Sequence, residues 1–221
     1  MQDNYFSLTR VRLRHYRSIA AADVELGRLL LLVGPNGSGK SNFLDALRLV
    51  SESLQTSLDQ ALRSRGGVAE VRRRSTGHPT HFSIDLEFRG PEYKGDYGFE
   101  IGSVKGGGFR VSSEYCRVWF DARSDEGVRY ADASFRIVSG SLIDKPEPVM
   151  PPVSEQRLYL VSAAGLEAFL PVYEGLAGIS VFSVNPDEMR RPQTPDSGDF
   201  LRRDGSNIAS VLHRLGRFQV Q

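Results

Sequence analysis

The chain has 221 residues, 40% of them hydrophobic, with 28 Lys+Arg against 27 Asp+Glu and a formal net charge of +1. That composition is globular and large enough for a sizeable core, and it is too balanced to draw polyanions or membrane surfaces by its overall field. The single cysteine, Cys116, excludes an intrachain disulfide framework. The longest apolar run, Leu29 to Val33, is far too short for a bilayer span, so a soluble cytoplasmic protein that does not enter membranes is expected.

In chain order, Phe6, Leu8, Val11, Leu13 and Tyr16, then Ile19 and Val24, alternate as half-buried strands do. Leu29-Leu30-Leu31-Leu32-Val33 is continuous and reads as a central strand covered on both faces. Phe43, Leu47, Val50, Leu54 and Leu58 recur at helical spacing and predict one helix from about Ser41 to Leu62, stopped by Gly66-Gly67. From Val68 to Val138 the period becomes two. Phe82 to Phe88, Tyr97 to Ile101, Tyr115 to Phe120 and Phe135 to Val138 predict an antiparallel meander. A Pro-rich connection over 140–157 leads to a helix over Ser162 to Leu176 that contains Pro171, a short strand over Ile179 to Val184, and a last helix over Ser206 to Leu215. No internal repeat is visible.

One motif dominates the chemistry. Gly34-Pro35-Asn36-Gly37-Ser38-Gly39-Lys40-Ser41 fits G-x-x-x-x-G-K-[ST], directly after the apolar run and directly before the amphipathic helix. Glycines allow a tight turn whose N–H groups converge on phosphate oxygens, and the following helix N-terminus adds partial positive charge. The expected ligands are ATP and Mg²⁺. Asn36, Gly37, Ser38, Gly39, Lys40, Ser41 and Asn42 would hold the nucleotide, with Lys40 reaching the β- and γ-phosphates and the Ser41 hydroxyl on the metal. Neither an N-K-x-D nor a D-x-x-G segment occurs, so guanine specificity is not expected.

His15-Tyr16-Arg17-Ser18-Ile19 followed by Leu32 to Asn42 resembles the ABC-type ATPase heads of the structural-maintenance-of-chromosomes and RecF group. Pro186 to Arg190 and Asp204 to Leu212 are similar to segments of bacterial AAA-type ATPases related to the overcoming-lysogenization-defect proteins. The resemblance implies an α/β fold: a P-loop NTPase core with an added antiparallel β-meander. Residues 1–65 would form the nucleotide-binding strands, P-loop and first helix, 66–140 the meander, and 141–221 the connection toward a C-terminal lobe. It further implies a homodimer or a C-terminal lobe partner, a role in DNA repair or phage defence with DNA as a candidate partner, and nucleotide proximity for Arg17.

The pattern also departs from that family. Complete heads carry a signature segment and a strand ending in a metal-binding Asp and catalytic Glu; here Asp187-Glu188 follow Asn185-Pro186, past the end of their strand, and Val138 to Ser141 imitates a signature only weakly. The expected function is therefore an ATP-binding lobe that turns over slowly or not at all until completed. The alternatives are a non-hydrolysing, nucleotide-gated module for protein or DNA, and a P-loop phosphotransferase. Asn185 and Gln193 are weak candidates for a Mg²⁺-holding amide, against a plain role bonding backbone in a turn. Arg63, Arg65, Arg72, Arg73 and Arg74 could face DNA phosphates, although a short arginine run more often pairs with neighbours such as Glu70. His78 and His81 lack companions for a metal set, and Cys116 reads as inert core.

Overall fold

The computed structural model describes residues 5–74, 79–120, 132–144 and 150–218, so His78, Pro146 and Pro148 lie outside the described residues. The chain divides into two compact units, Met1–Ile179 and Ser180–Gln221.

The first unit is built on one seven-stranded sheet. Its strands are β1 (Ser7–Tyr16), β2 (Ile19–Glu25), β3 (His81–Arg89), β4 (Tyr93–Ser103), β5 (Phe109–Phe120), β6 (Ala133–Val138) and β7 (Ser141–Asp144). They lie in the order β2-β1-β3-β4-β5-β6-β7, and every neighbouring pair is antiparallel. The period-two segments Phe82 to Phe88, Tyr97 to Ile101, Tyr115 to Phe120 and Phe135 to Val138 fall in β3, β4, β5 and β6, but Val68 to Val71, where the period-two reading begins, is a short helix. Alternate residues of β3, Phe82, Ile84, Leu86 and Phe88, are buried on one face. Ser83, Asp85 and Glu87 point to the other, where Tyr115 donates to Asp85 at 2.8 Å and Arg12 pairs with Glu87. The fold is mixed α/β, but this all-antiparallel sheet is not the parallel core expected around a P-loop.

The helices are α1 (Lys40–Gln55), α2 (Leu58–Arg63), α3 (Val68–Val71), α4 (Leu160–Ala163) and α5 (Leu170–Ala177) in the first unit, then α6 (Pro186–Arg190) and α7 (Ile208–Phe218) in the second. The expected single helix over Ser41 to Leu62 is two. Thr56 Oγ1 donates back to Glu52 O at 2.8 Å, and Ser57 Oγ accepts the Gln60 N–H at 3.1 Å as a new N-cap, so these hydroxyls end one helix and start the next. Gly66 and Gly67 stop α2 as expected, both at positive φ. Pro171 sits in the first turn of α5, where its missing N–H costs nothing. Helix α1 buries Phe43, Ala46, Leu47, Leu49, Val50 and Leu54, and α5 is tied to its C-terminal end by Gln55 Nε2 donating to Ala177 O at 2.5 Å.

Two expected strands do not form. Leu29 to Val33 runs without a ladder partner, with Leu29, Leu31 and Val33 at 81%, 75% and 88% exposure. Its composition suits a central strand, but a strand needs a neighbour, and among the described residues none lies beside it. Ile179 to Val184 is likewise irregular: Ile179 N–H donates to Leu176 O at 3.3 Å and Ser183 N–H to Arg203 O at 2.8 Å, but no ladder forms.

Among the described residues, Glu114 is the one ionisable carboxylate fully buried on the sheet's inner face. A bulge puts it there: Glu100 pairs with Ser113 but Ile101 pairs with Val111, and the extra residue, Ser112, reverses the alternation so that Val111 and Glu114 both point inward. The carboxylate accepts the Tyr97 hydroxyl at 3.0 Å and the N–H groups of Tyr159 and Leu160 at 2.5 and 2.9 Å, tying β5 to the start of α4. Burial pushes its pKa up to about 7, with the three hydrogen bonds pulling the other way. Because the folded value is raised above the ordinary 4.5, the stability this group contributes is fully present below about pH 4.5 and is lost as pH rises through 7. Thermal or urea unfolding is expected to show a loss on the order of 3 kcal/mol between pH 4.5 and 8 that Glu114→Gln abolishes. Equal slopes in the two proteins would refute the assignment.

The second unit is organised by the buried Asn207. Its amide donates to Asp196 Oδ2 at 3.0 Å and Phe200 O at 2.9 Å and accepts the Arg202 N–H at 2.8 Å, closing the loop that precedes α7. No helix among the described residues is long and apolar enough to cross a membrane.

Candidate functional site

The chain leaves β2, passes through the exposed Leu29 to Val33 segment and turns into α1 through residues 34–39. Gly34, Gly37 and Gly39 adopt φ values of 153°, 80° and 99°, conformations that a side chain would strain. At Gly39 the requirement is conformational rather than steric, because a Cβ there would meet Ile19 Cγ1 at 3.4 Å, an ordinary contact. Gly39 caps α1 in the left-handed conformation with no side-chain acceptor, and the first turn contains no acidic residue. The first intrahelical bond runs from Phe43 N–H to Gly39 O at 2.9 Å, leaving the N–H groups of Lys40, Ser41 and Asn42 at the positive end of a 16-residue helix.

Lys40 Nζ bridges the loop, donating to Gly34 O and Pro35 O at 2.8 Å each and to Ser38 Oγ at 3.3 Å. Asn36, Gly37 and Ser38 form the exposed tip, and Ser41 stands exposed in the first turn of α1. Asn42 Nδ2 donates to Ser18 Oγ at 2.7 Å, fastening the helix start to the turn between β1 and β2. Gly37 to Lys40, Ser18 to Ala22, Leu31 to Val33, Phe43 and Arg73 line a cleft of about 620 Å³. The helix-start N–H groups of Lys40, Ser41 and Asn42 with one ammonium beside them suit a polyphosphate, and a hydroxyl in the first turn suits the hard cation that accompanies one.

Asp45, one turn beyond Lys40, belongs to no sequence motif. Its carboxylate accepts the buried Tyr16 hydroxyl at 2.8 Å and pairs with Arg17 Nε at 2.8 Å and with Arg65 Nε at 3.1 Å. Arg65 is 5% exposed and also reaches Glu52 Oε2 at 2.7 Å. Burial alone would raise the Glu52 carboxyl, but Arg48 and Arg65 hold it down at about 2. This network locks α1 to the end of β1 and to the turn after α2. It also engages Arg17 away from the cleft lining.

The remaining candidates fall mostly to ordinary roles. Arg63 pairs with Asp59 at 2.8 Å, Arg74 with Glu70, and Arg72 donates to Pro79 O at 2.7 Å, so most of the basic run is internally engaged. Asn185 caps α6 by accepting the Asp187 N–H at 3.0 Å, and Gln193 Nε2 donates to Met189 O at 3.2 Å; both amides bond backbone. Asp187 and Glu188 lie in α6, paired with Arg190 and Arg191. Val138 to Ser141 is the turn from β6 into β7. Cys116 is fully buried, with burial pushing its thiol well up. His81 meets His15 edge to face at 5.4 Å, and no group of three His, Cys, Asp or Glu residues suited to a metal occurs among the described residues. A larger hollow of about 760 Å³ within the second unit is lined by Gln193, Asp196, Ser210, His213 and Arg214, among others. Asp196 is engaged by Asn207, Gly198 N–H and Arg202, and Arg214 by Asp199.

No curated protein matches the chain. Residues 29–134, just under half of it, match the family described as "AAA domain, putative AbiEii toxin, Type IV TA system". The matched span starts at the apolar segment, takes in the whole phosphate-type loop and runs through β3, β4 and β5. With the loop geometry, that match supports a nucleotide-binding, ATPase-like P-loop module of the AAA type.

Proposed function

We propose that the chain is the ATP-binding lobe of an ABC/RecF-type ATPase. It would hold Mg-ATP on residues 34–42 and hydrolyse it only when signature and Walker B groups are supplied from outside these residues. The observation that carries this reading is the backbone of residues 34–40. Three glycines at positive φ deliver the chain into an uncapped, acid-free helix start with Lys40 folded across the loop. Backbone N–H groups of the loop and of Lys40, Ser41 and Asn42 would bind phosphate oxygens. The Lys40 ammonium would exchange its two carbonyls for the β- and γ-phosphates, and Ser41 Oγ would face the magnesium. The magnesium would neutralise charge on the transferring phosphoryl group.

Two observations favour dependence on outside groups. The α1 carboxylate nearest the loop in sequence, Asp45, is committed to Tyr16, Arg17 and Arg65 and is poorly suited to orient an attacking water. The apolar Leu29 to Val33 segment, leading straight into the loop, exposes Leu29, Leu31 and Val33, side chains that a further sheet would cover. Titration calorimetry with Mg-ATP is expected to give saturable 1:1 binding, and phosphate release by the chain alone is expected to be slow. Absence of heat at millimolar Mg-ATP would refute the binding reading. Turnover typical of complete ATPases, abolished in Lys40→Ala, would refute the dependence.

A further inference from the structure

We propose that Arg73 is a second phosphate-binding cation of the P-loop cleft, a role that rests on reading that cleft as a nucleotide site. Arg73 lines the same cleft as Gly37 to Lys40, although it is 33 residues away in sequence.

Backbone pairing brings it there. Arg17 N–H donates to Val71 O at 2.7 Å and Arg73 N–H to His15 O at 2.6 Å, with Tyr16 and Arg72 forming an isolated antiparallel bridge between them. His15 and Arg17 hold positive φ values of 54° and 47°, unusual for residues with side chains. The end of β1 is thus bent at a conformational cost around the segment that carries Arg73. That contact uses the main chain of Arg73 and leaves its guanidinium uncommitted.

The other arginines of the run are engaged: Arg63 with Asp59, Arg65 with Asp45 and Glu52, Arg72 with Pro79 O, Arg74 with Glu70. Among the described residues, the Arg73 side chain makes no hydrogen bond or ion pair. Among the described residues no acidic side chain lines the cleft, so Lys40 and Arg73 give this lining a net positive charge. Arg17, the arginine that the family resemblance places near the nucleotide, is instead paired with Asp45. A planar guanidinium offering paired donors suits a phosphate better than it suits any neutral part of a nucleotide.

The test compares wild type, Arg73→Ala, Arg73→Gln and Arg73→Lys by calorimetry and by displacement of a fluorescent ATP analogue with Mg-ATP, Mg-ADP and AMP. Arg73→Ala is expected to weaken Mg-ATP by roughly ten- to a hundredfold, the scale of a charge-assisted hydrogen bond. The loss should shrink as phosphates are removed, and Arg73→Lys should recover part of it. The melting midpoint should stay close to that of wild type because the contact with His15 is made by backbone; should Arg73→Ala fail to fold, Arg73→Gln carries the comparison. Unchanged Mg-ATP affinity, or an equal loss for all three nucleotides, would overturn the proposal while leaving the P-loop reading intact. Failure of wild type to bind Mg-ATP would instead overturn the P-loop reading itself.

Discussion

Replacing Lys40 with alanine is expected to weaken Mg-ATP binding at least about a hundredfold, a loss of roughly 2.7 kcal/mol, with little change in melting temperature. The reason lies in what the ammonium touches. In the folded chain it is held by two carbonyls, Gly34 O and Pro35 O, at 2.8 Å each, neutral acceptors that a phosphate dianion outcompetes. Its removal takes from the loop a full charge that the N–H groups cannot replace, since each of them carries only a partial one. Lys40→Arg is not expected to rescue, because the guanidinium is wider and its fork does not fit a loop drawn around a point charge. Calorimetry on both variants, with thermal unfolding as the control for folding, decides the matter. Wild-type affinity in Lys40→Ala would mean that the loop is only a turn.

Asp45→Ala is expected to have the largest effect on stability, about 3 to 5 kcal/mol, lowering the melting temperature by about 10 °C or more. One carboxylate serves the fully buried Tyr16 and the nearly buried Arg65, along with Arg17. Removing it strands a phenol hydroxyl and leaves the Arg65 charge with Glu52 alone. Asp45→Asn should lose less, because the amide still accepts from Tyr16 while the charge pairing is gone. Urea unfolding of the two variants checks the order; a loss below about 1 kcal/mol for alanine would show that the network is dispensable. Since α1 carries Lys40 at its first turn, the same substitution should also loosen nucleotide binding.

The contrast between Lys40 and Asp45 shows what the sequence could disclose. The loop is written in eight consecutive residues, three of them glycines at positive φ, and the β3 and β4 strands are written in an alternation that is a property of the pleat itself. Asp45 has partners at positions 16, 17 and 65, and nothing around it in the chain announces them. Glu114 shares the parity of the buried Cys116 and Val118, but nothing in the chain announces its partners at positions 97, 159 and 160, or the bulge at Ser112 that turns Val111 inward as well. The break between α1 and α2 was readable: Ser57 three residues before Gln60 is a capping pattern, overridden in the reading by the apolar periodicity that runs through it. Leu29 to Val33 has the composition of a buried strand, but composition cannot supply the neighbour that burial requires.

That uncovered stretch has a practical consequence for anyone handling the protein. Five consecutive branched aliphatic residues, without a charge or proline among them and with Leu29, Leu31 and Val33 largely exposed, make a sticky segment able to recruit the same stretch from other molecules. Preparations should cloud as concentration rises, and a lysine in place of the 75% exposed Leu31 should keep them clear, at no expense to the buried core.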